Sequence, residues 1–202
     1  MMIVMKSKSA AKATPNRKEI THARIVETAA KAIRRSGYSG TGVADIMKEA
    51  GLTHGGFYAH FASRDEMLAE AASHAGAETI AVTEQLFANV PKEQRLWTLM
   101  NVYLSDEHTA NIEMGCSFAA LGSEMHRQAP EVRAASTQKI KEMIALVEAE
   151  LSEQSPANAR QDAMMMVSTM VGTLMLARAV DDKELSVALR QSALKHFAPK
   201  EN

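Results

Sequence analysis

The stretch of residues 43–61, VADIMKEAGLTHGGFYAHF, constrains the fold of this chain more than any other. Its first apolar residues recur at helical spacing as far as Ala50, which predicts a short helix with one apolar face. Gly51 follows and can adopt the positive φ that ends a helix abruptly. Phe57 and Phe61, four residues apart, predict a second helix that turns these two rings into the core. The stretch therefore predicts two short helices joined by a tight turn.

The second of these helices has no acidic side chain on its outer side. Thr53 can cap the helix, and His54, Gly55 and Tyr58 follow on the side away from the core. Small residues in the first turn let a helix approach base edges in the DNA major groove, and polar residues along it can reach phosphates. Gly55 and Gly56 each weaken a helix by roughly 1 kcal/mol. Because they have no side chains, the first turn of the helix contacts few base edges. We therefore expect DNA shape to contribute to specificity.

The longer run AGLTHGGFYAHFASRDEML resembles the recognition-helix signature of the TetR/AcrR family of transcriptional repressors. The close match runs from about Thr21 to Leu68. This resemblance implies a helix-turn-helix DNA-binding domain in residues 19–64 and an effector-binding and dimerisation domain in residues 65–202. It also implies a repressor that binds a pseudo-palindromic double-stranded DNA operator as a homodimer and is released by a small-molecule effector. The candidate DNA-contacting residues are Arg24, Thr41, Thr53, His54, Gly55, Tyr58, His60 and Arg64. For His60 a packed core histidine is the alternative, and for Arg24 a solvated arginine.

Composition and charge agree with this interpretation. Ten glycines, five prolines and the lack of alternating strand patterns predict an all-α chain of about nine helices. Residues 1–64 hold eleven basic and four acidic side chains, a net charge of +7, whereas the rest of the chain carries −8. A basic amino-terminal part on an acidic body is typical of a DNA-binding domain attached to a second domain. We expect residues 1–18 to form a mobile basic arm, and Thr21 to cap the first helix.

The carboxy-terminal part predicts further amphipathic helices. One begins at Pro130, another after Ser155-Pro156 and a third at an Asp181 capping box. The helix that ends near Ala179 is apolar on several sides, so a second subunit is the simplest cover for one of them. We assign it and the last helix to a homodimer four-helix bundle. The predicted interface residues are Met164, Val167, Val171, Leu174, Leu185 and Leu189.

A cluster of aromatic and methionine residues in this part is the candidate effector pocket that the family resemblance implies. Methionine adapts to varied apolar guests, and the chain has 14 of them. We expect an apolar or aromatic small molecule, with ordinary core packing as the alternative role for the same residues. The candidate walls are Trp97, Met100, Tyr103, Phe118, Leu121, Met125 and Ile144.

The single cysteine, Cys116, supports an alternative function on the same scaffold. It follows Gly115 at the predicted start of a helix, where the helix dipole lowers the pKa of a thiol. A thiolate there would make the protein a sensor of oxidants or electrophiles. With one cysteine, such sensing would need an adduct, a sulfenate or a bridge between subunits. A buried, inert thiol is the other possibility.

Other function classes have weak support in the sequence. Glu124 and His126 match no tight metal-ligand spacing, and neither a phosphate loop nor a nucleophile elbow is present. We therefore expect no enzymatic activity, no metal and no cofactor, and keep a helical enzyme or carrier that does not bind DNA as the less favoured alternative. The longest uncharged run is too short for a membrane span, which predicts a cytoplasmic protein without a membrane partner.

Overall fold

The computed structural model describes residues 16–152 and 157–199. Within these ranges the chain has nine α-helices and three short 3₁₀ helices and no strand, as the all-α prediction requires. The predicted arm, apart from its last three residues, and the predicted Ser155-Pro156 helix start lie outside the described residues. The α-helices are α1 (Arg17–Ser36), α2 (Val43–Glu49), α3 (Arg64–Asn89), α4 (Arg95–Tyr103), α5 (Asp106–Ala110), α6 (Ser117–Leu121), α7 (Pro130–Leu151), α8 (Ala159–Ala179) and α9 (Lys183–Phe197). The 3₁₀ helices are His54–Ala59, Lys92–Gln94 and Met125–Arg127.

Helix α1 begins earlier than predicted because Asn16, and not Thr21, is its cap. The Asn16 side chain accepts the Glu19 N–H at 3.0 Å, and the Glu19 carboxylate accepts the Asn16 N–H at 3.0 Å. This reciprocal pair is a capping box. Thr21 lies inside the helix, where its hydroxyl donates to the Arg17 carbonyl. The helix ends at Gly37, as predicted, with a φ of 71°.

The first hydrophobic core joins α1, α2, the 3₁₀ helix His54–Ala59 and the first half of α3. Phe57 and Phe61 are both buried in it, which confirms their predicted core role. Leu121 of α6 and Val132 of α7 also belong to this core. The amino-terminal helices are therefore packed directly on the carboxy-terminal ones.

The second core lies among α3, α4, α7, α8 and α9. Helix α3 runs through both cores, because its buried residues extend from Met67 to Phe87. At Gly76 a Cβ atom would lie 2.6 Å from the Cβ of Lys139 on α7. The glycine therefore permits the close approach of α3 and α7. None of the described helices is long and apolar enough to cross a membrane.

Helix α8 is oriented differently from the prediction that assigned its residues to a dimer interface. Val167 and Leu174 are buried within the subunit, so these two residues are core and not interface. Met164 on α8 and Leu185 on α9 are exposed, and Val171 and Leu189 are half-buried. The last helix starts one residue later than predicted, since Asp182 accepts the Leu185 N–H at 2.9 Å. A separate stripe runs along α8 at helical spacing, and we call it the α8 stripe: Met165, Ser168 and Met175, which are exposed, and Gly172, which is half-buried.

Candidate nucleic-acid interface and effector cavities

Helix α2 and the 3₁₀ helix His54–Ala59 form the predicted pair of helices around a tight turn. Gly51 has a φ of 70°, and the Leu52 N–H bonds to the Met47 carbonyl at 2.8 Å, which closes the end of α2. The second helix is a 3₁₀ helix of six residues, and the Thr53 hydroxyl makes no capping hydrogen bond. Two consecutive glycines in its first turn favour this short form, because glycine is a poor helix former.

The outer side of this 3₁₀ helix is open. Thr53, His54 and Gly55 are exposed, and Tyr58 is 73% exposed although its ring contacts the edge of Phe57. A Cβ atom added at Gly55 would meet no atom within 4 Å. Neither packing nor a positive φ requires glycine at this position, so the small residue leaves room for something outside the subunit.

His60 takes part in an aromatic cluster that attaches the 3₁₀ helix to α1. His22 stacks on Phe61 with ring centroids 4.4 Å apart, and its Nε2 lies 2.7 Å from the Glu70 carboxylate. The His60 ring lies 6.0 Å from His22. Partial desolvation, together with His22 and the nearby Lys18, lowers the pKa of His60. The contacts of the His60 ring with His22 and Phe61 favour the packed-histidine alternative.

Thr41 and Arg64 are placed differently from their predicted role as phosphate contacts. Thr41 is buried, and its hydroxyl donates to the Gly37 carbonyl at 2.7 Å. The Arg64 guanidinium donates to the carbonyls of Tyr38 and Thr41, and so holds the α1–α2 loop against the start of α3. The Thr41 side chain is therefore not available for a DNA phosphate, and the Arg64 side chain has a structural role.

The basic side chains of α1 divide into two groups along the helix. In the first half, Arg17, Lys18 and Arg24 are exposed, and none of them forms an ion pair with another described residue. In the second half the cations are engaged: Lys31 pairs with Glu27, Arg34 with Glu78, and Arg35 with Glu49 and Glu113. Sequence reasoning assigned Arg17 and Lys18 to the arm, and the capping box that begins at Asn16 was the signal that it missed.

The first cavity, which we call the α7–α8 cavity, has a volume of about 470 Å³. Four of the seven predicted pocket residues line it, namely Phe118, Leu121, Met125 and Ile144. Ile140 on α7, Val171 and Met175 on α8, Tyr38 and several serines complete the wall. Two predictions were wrong: Met100 is fully buried core, and Trp97, half-buried on α4, lines neither this cavity nor the next one.

The second cavity, which we call the α3–α4 cavity, has a volume of about 570 Å³ and contains the remaining predicted residue, Tyr103. A void of only about 10 Å³ lies between the two cavities, with Cys116 and Phe118 in its wall. The α3–α4 cavity is lined by Glu78, Thr79, Ala81, Val82, Thr83, Gln85, Leu86, Asn89, Leu99, Val102, Tyr103, His108, Met114, Gly115 and Cys116.

Tyr38 connects the α7–α8 cavity to the amino-terminal helices. It lies just after α1, its ring lines the cavity, and its backbone N–H donates to the Glu124 carboxylate at 3.0 Å. Burial raises the pKa of Tyr38 to about 12, and the Ser136 hydroxyl on α7 partly offsets this effect. The Tyr38 carbonyl accepts a hydrogen bond from Arg64 at the start of α3. Tyr38 therefore contacts the cavity, helix α3 and the segment 122–125. A change in the cavity can therefore act on the α1–α2 loop directly.

Cys116 does not have the properties of a reactive thiol. It is 2% exposed at the start of α6, a helix of five residues, and burial raises the pKa of its thiol above the ordinary value. The predicted thiolate is wrong, because desolvation outweighs the favourable contacts of Tyr103 and two backbone groups. The thiol-sensor alternative thus loses the observation on which it depended.

Comparison with known proteins identifies the family. Residues 25–71 match the family model of bacterial regulatory proteins of the tetR family, and residues 94–191 match that of the C-terminal domain of LmrA/YxaF-like transcriptional regulators. The chain belongs to the TetR family. An uncharacterised HTH-type transcriptional regulator of Mycobacterium tuberculosis is 25% identical over 79% of this chain and 84% of the relative. TetR-family members are transcriptional regulators that bind DNA. The 3₁₀ helix His54–Ala59 lies within the residues that match the tetR family model.

Solved structures of the TetR family share the fold. Reduced NemR of E. coli is 20% identical, with a TM-score of 0.74 over 88% of this chain and 94% of that one. A TetR-family regulator of Agrobacterium tumefaciens is 21% identical, with a TM-score of 0.74 over 91% and 100%. FadR of Bacillus subtilis, solved in complex with stearoyl-CoA, is 21% identical, with a TM-score of 0.66 over 86% and 96%.

Proposed function

We propose that this protein is a transcriptional repressor that binds a pseudo-palindromic operator as a homodimer and is released by a small apolar effector. The observation that carries the proposal is the open outer face of the 3₁₀ helix, with Thr53, His54, Gly55 and Tyr58 exposed. The unpaired cations in the first half of α1 supply charge for phosphate contacts, Arg24 above all. One such helix reads few base pairs, so two copies on a two-fold axis are needed to define a site.

The α8 stripe supports the homodimer. Met165 and Met175 are exposed apolar residues at its two ends, and Gly172 between them has open space where a Cβ would lie. Small residues between methionines let a second helix approach closely. With Met164 and Leu185 exposed alongside, α8 and α9 of two subunits would bury these side chains in a four-helix bundle.

The α7–α8 cavity supports the effector. Its wall is apolar apart from hydroxyl groups, and its size lies in the range of small-molecule sites. Because Tyr38 belongs both to the cavity wall and to the loop before α2, a ligand that displaces its ring would shift the loop and the 3₁₀ helix with it. Such a ligand would favour a form of the dimer whose two reading helices no longer match the half-sites.

Selection of bound fragments from random duplex DNA tests the proposal. We expect an enriched inverted repeat for the wild-type protein and loss of this enrichment with Tyr58→Ala. Because the Tyr58 side chain is mostly exposed, we expect the variant to fold, so that a loss of enrichment reports on DNA binding. Tyr58→Phe is the matched control, and it separates the hydroxyl from the ring. A failure of wild-type protein to enrich any sequence at low salt would contradict the repressor proposal.

The homodimer has its own test. Met165→Glu places a charge in the α8 stripe and should shift sedimentation from dimer to monomer. Val82→Glu is the control, since Val82 is 63% exposed on α3, away from the stripe. A monomeric wild-type protein, or a dimer unaffected by Met165→Glu, would exclude the α8 interface.

A further inference from the structure

The segment around the 3₁₀ helix His54–Ala59 lacks the side chains that read bases by paired hydrogen bonds. Residues 50–63, AGLTHGGFYAHFAS, include no arginine, lysine, asparagine, glutamine, aspartate or glutamate. In the major groove, arginine or lysine reads guanine, asparagine or glutamine reads adenine, and the two acids read cytosine. The outer face of this helix therefore has none of the usual partners of these three bases.

The charged side chains next to this segment do not replace the missing ones. Arg64, the first basic residue after it, donates to the carbonyls of Tyr38 and Thr41. Lys48 is exposed on α2. In a helix-turn-helix the first helix crosses the DNA backbone, so Lys48 is placed for a phosphate and not for a base edge.

The polar side chains that remain on the outer face are Thr53, His54 and Tyr58, and all three are exposed. Each offers single hydrogen bonds instead of a bidentate pair, and a threonine hydroxyl bonds to more than one base. Hydrogen bonding alone therefore gives this face little power to distinguish base pairs. The other feature that the major groove displays is apolar, namely the C5-methyl group of thymine.

The outer face has open space for such a group at Gly55. A Cβ atom added there would meet no atom within 4 Å, and the residue is exposed. At Gly56, by contrast, an added Cβ would lie 3.7 Å from Cε of Met47 and 3.8 Å from Oγ1 of Thr53, which are ordinary contacts within the subunit. Of the two glycines, Gly55 is thus the one that leaves room for an outside group.

We propose that the 3₁₀ helix reads thymine, and that the space at Gly55 receives the C5-methyl group of one thymine in each half-site of the operator. Alanine, the threonine methyl group and aromatic rings are the side chains that contact this methyl group in the major groove. The same face carries one of each, Ala59, Thr53 and Tyr58, and all are exposed. This inference names the base chemistry of the proposed repressor function and rests on it.

The size of the effect follows from the burial of a methyl group. Removal of one buried methyl group should lower the affinity about fourfold, the equivalent of the transfer free energy of one CH₂ group. A two-fold symmetric dimer makes the contact twice, and the half-sites are about one helical turn or more apart. The two effects should therefore multiply to about 15-fold.

The first measurement is a uracil scan of the operator selected from random duplex DNA. Uracil differs from thymine only in lacking the C5-methyl group, so base pairing and all contacts in the minor groove are retained. Each thymine is replaced in turn, and the dissociation constant is measured by fluorescence anisotropy at one fixed salt concentration. We expect a loss of about fourfold at one thymine per half-site and of about 15-fold when both are replaced, with no change at thymines outside the half-sites.

The second measurement separates the methyl group from the hydrogen-bonding groups of thymine. The sensitive T·A pair is replaced by C·G and by 5-methylcytosine·G, which differ from each other only in the methyl group. We expect the methylated pair to bind about fourfold more tightly than the unmethylated one. Equal binding of these two operators would contradict recognition of a methyl group.

Gly55→Ala tests the place of the contact. Its new Cβ takes the space assigned to the thymine methyl group, so the variant should bind the thymine operator more weakly and lose the preference for thymine over uracil. Alanine is the better helix former, so we expect the variant to fold, and circular dichroism checks this. Gly56→Ala is the matched control, because its Cβ would contact Met47 and Thr53 inside the subunit, and it should keep the fourfold preference.

Three results would overturn the inference while an enriched inverted repeat still supports the repressor. They are an operator in which no thymine is sensitive to uracil, half-sites whose invariant pairs are all G·C, and an unchanged preference for thymine in Gly55→Ala. A protein that enriches no sequence at low salt would refute the repressor function itself, and the reading of thymine with it.

Discussion

Replacement of Gly37 by alanine should be among the most damaging single changes in the amino-terminal helices. Gly37 has φ 71° and ψ 173°, a region that is essentially restricted to glycine and costs another residue about 1–3 kcal/mol. Its new Cβ would also lie 2.2 Å from Oε1 of Glu124. The carboxylate would have to move and give up its bond to the Tyr38 N–H, a charge-assisted hydrogen bond of about 1.5–3 kcal/mol. Together the two effects predict a loss of about 2.5–6 kcal/mol in the free energy of unfolding.

The measurement is urea unfolding at fixed protein concentration, followed by circular dichroism. Gly51→Ala is the matched control, because Gly51 has a φ of 70° but no atom lies within 4 Å of the position that its Cβ would take. We expect it to cost only about 1–2 kcal/mol. Glu124→Ala completes the set, because in that background Gly37→Ala should cost only its backbone share, about 1–3 kcal/mol.

Two results would refute this reasoning. If Gly37→Ala costs no more than Gly51→Ala, the approach of Glu124 has no energetic weight. If its cost is the same with and without the Glu124 carboxylate, the two residues are not coupled, and the junction at Tyr38 does not connect the cavity to α1 as described.

Further predictions concern charge, pH and the thiol. Arg24→Gln should reduce the salt dependence of operator binding by about one counterion, while Arg35→Gln, whose side chain is already paired, should leave the slope unchanged; equal slopes would contradict the division along α1. Burial lowers the pKa of His108, so the unfolded state takes up a proton first, and stability should fall as the pH drops below about 6.5. His108→Gln should flatten this part of the stability profile, and an equally steep profile would argue against the assignment. Cys116 should react with a maleimide much more slowly in the native protein than in denaturant, and Cys116→Ser should leave DNA release by oxidants unchanged.

Much of the fold could be predicted because local signals and burial agreed. Gly37 and Gly51 end helices at positive φ, and Phe57 and Phe61 enter the core as their spacing required. The family membership followed from the same short stretch. Capping was less predictable: Thr21 and Asn16 are both good caps in sequence, and only the reciprocal bond to Glu19 favours Asn16.

The candidate sites were harder to predict, since they depend on which side of a helix faces which neighbour. Helix α8 is apolar on several sides, so periodicity alone could not show that Val167 and Leu174 face inward. The sequence could not show whether Met100 lines a pocket or belongs to the core, because methionines have the same helical spacing in both cases. The ion pair between Glu78 and the buried Arg34 could not be predicted either, because an acidic residue in an amphipathic helix does not indicate that a buried arginine lies opposite it.

The passage of α3 through both cores limits how this protein can be divided or recombined. A fragment cut after residue 64 would lose Met67, Leu68 and Ala71, which complete the core beneath the 3₁₀ helix His54–Ala59. A hybrid regulator that joins these amino-terminal helices to a foreign body would need the fusion point beyond Ala75 and would still need equivalents of Leu121 and Val132. Modular exchange is therefore constrained by shared packing more than by the length of the DNA-binding motif.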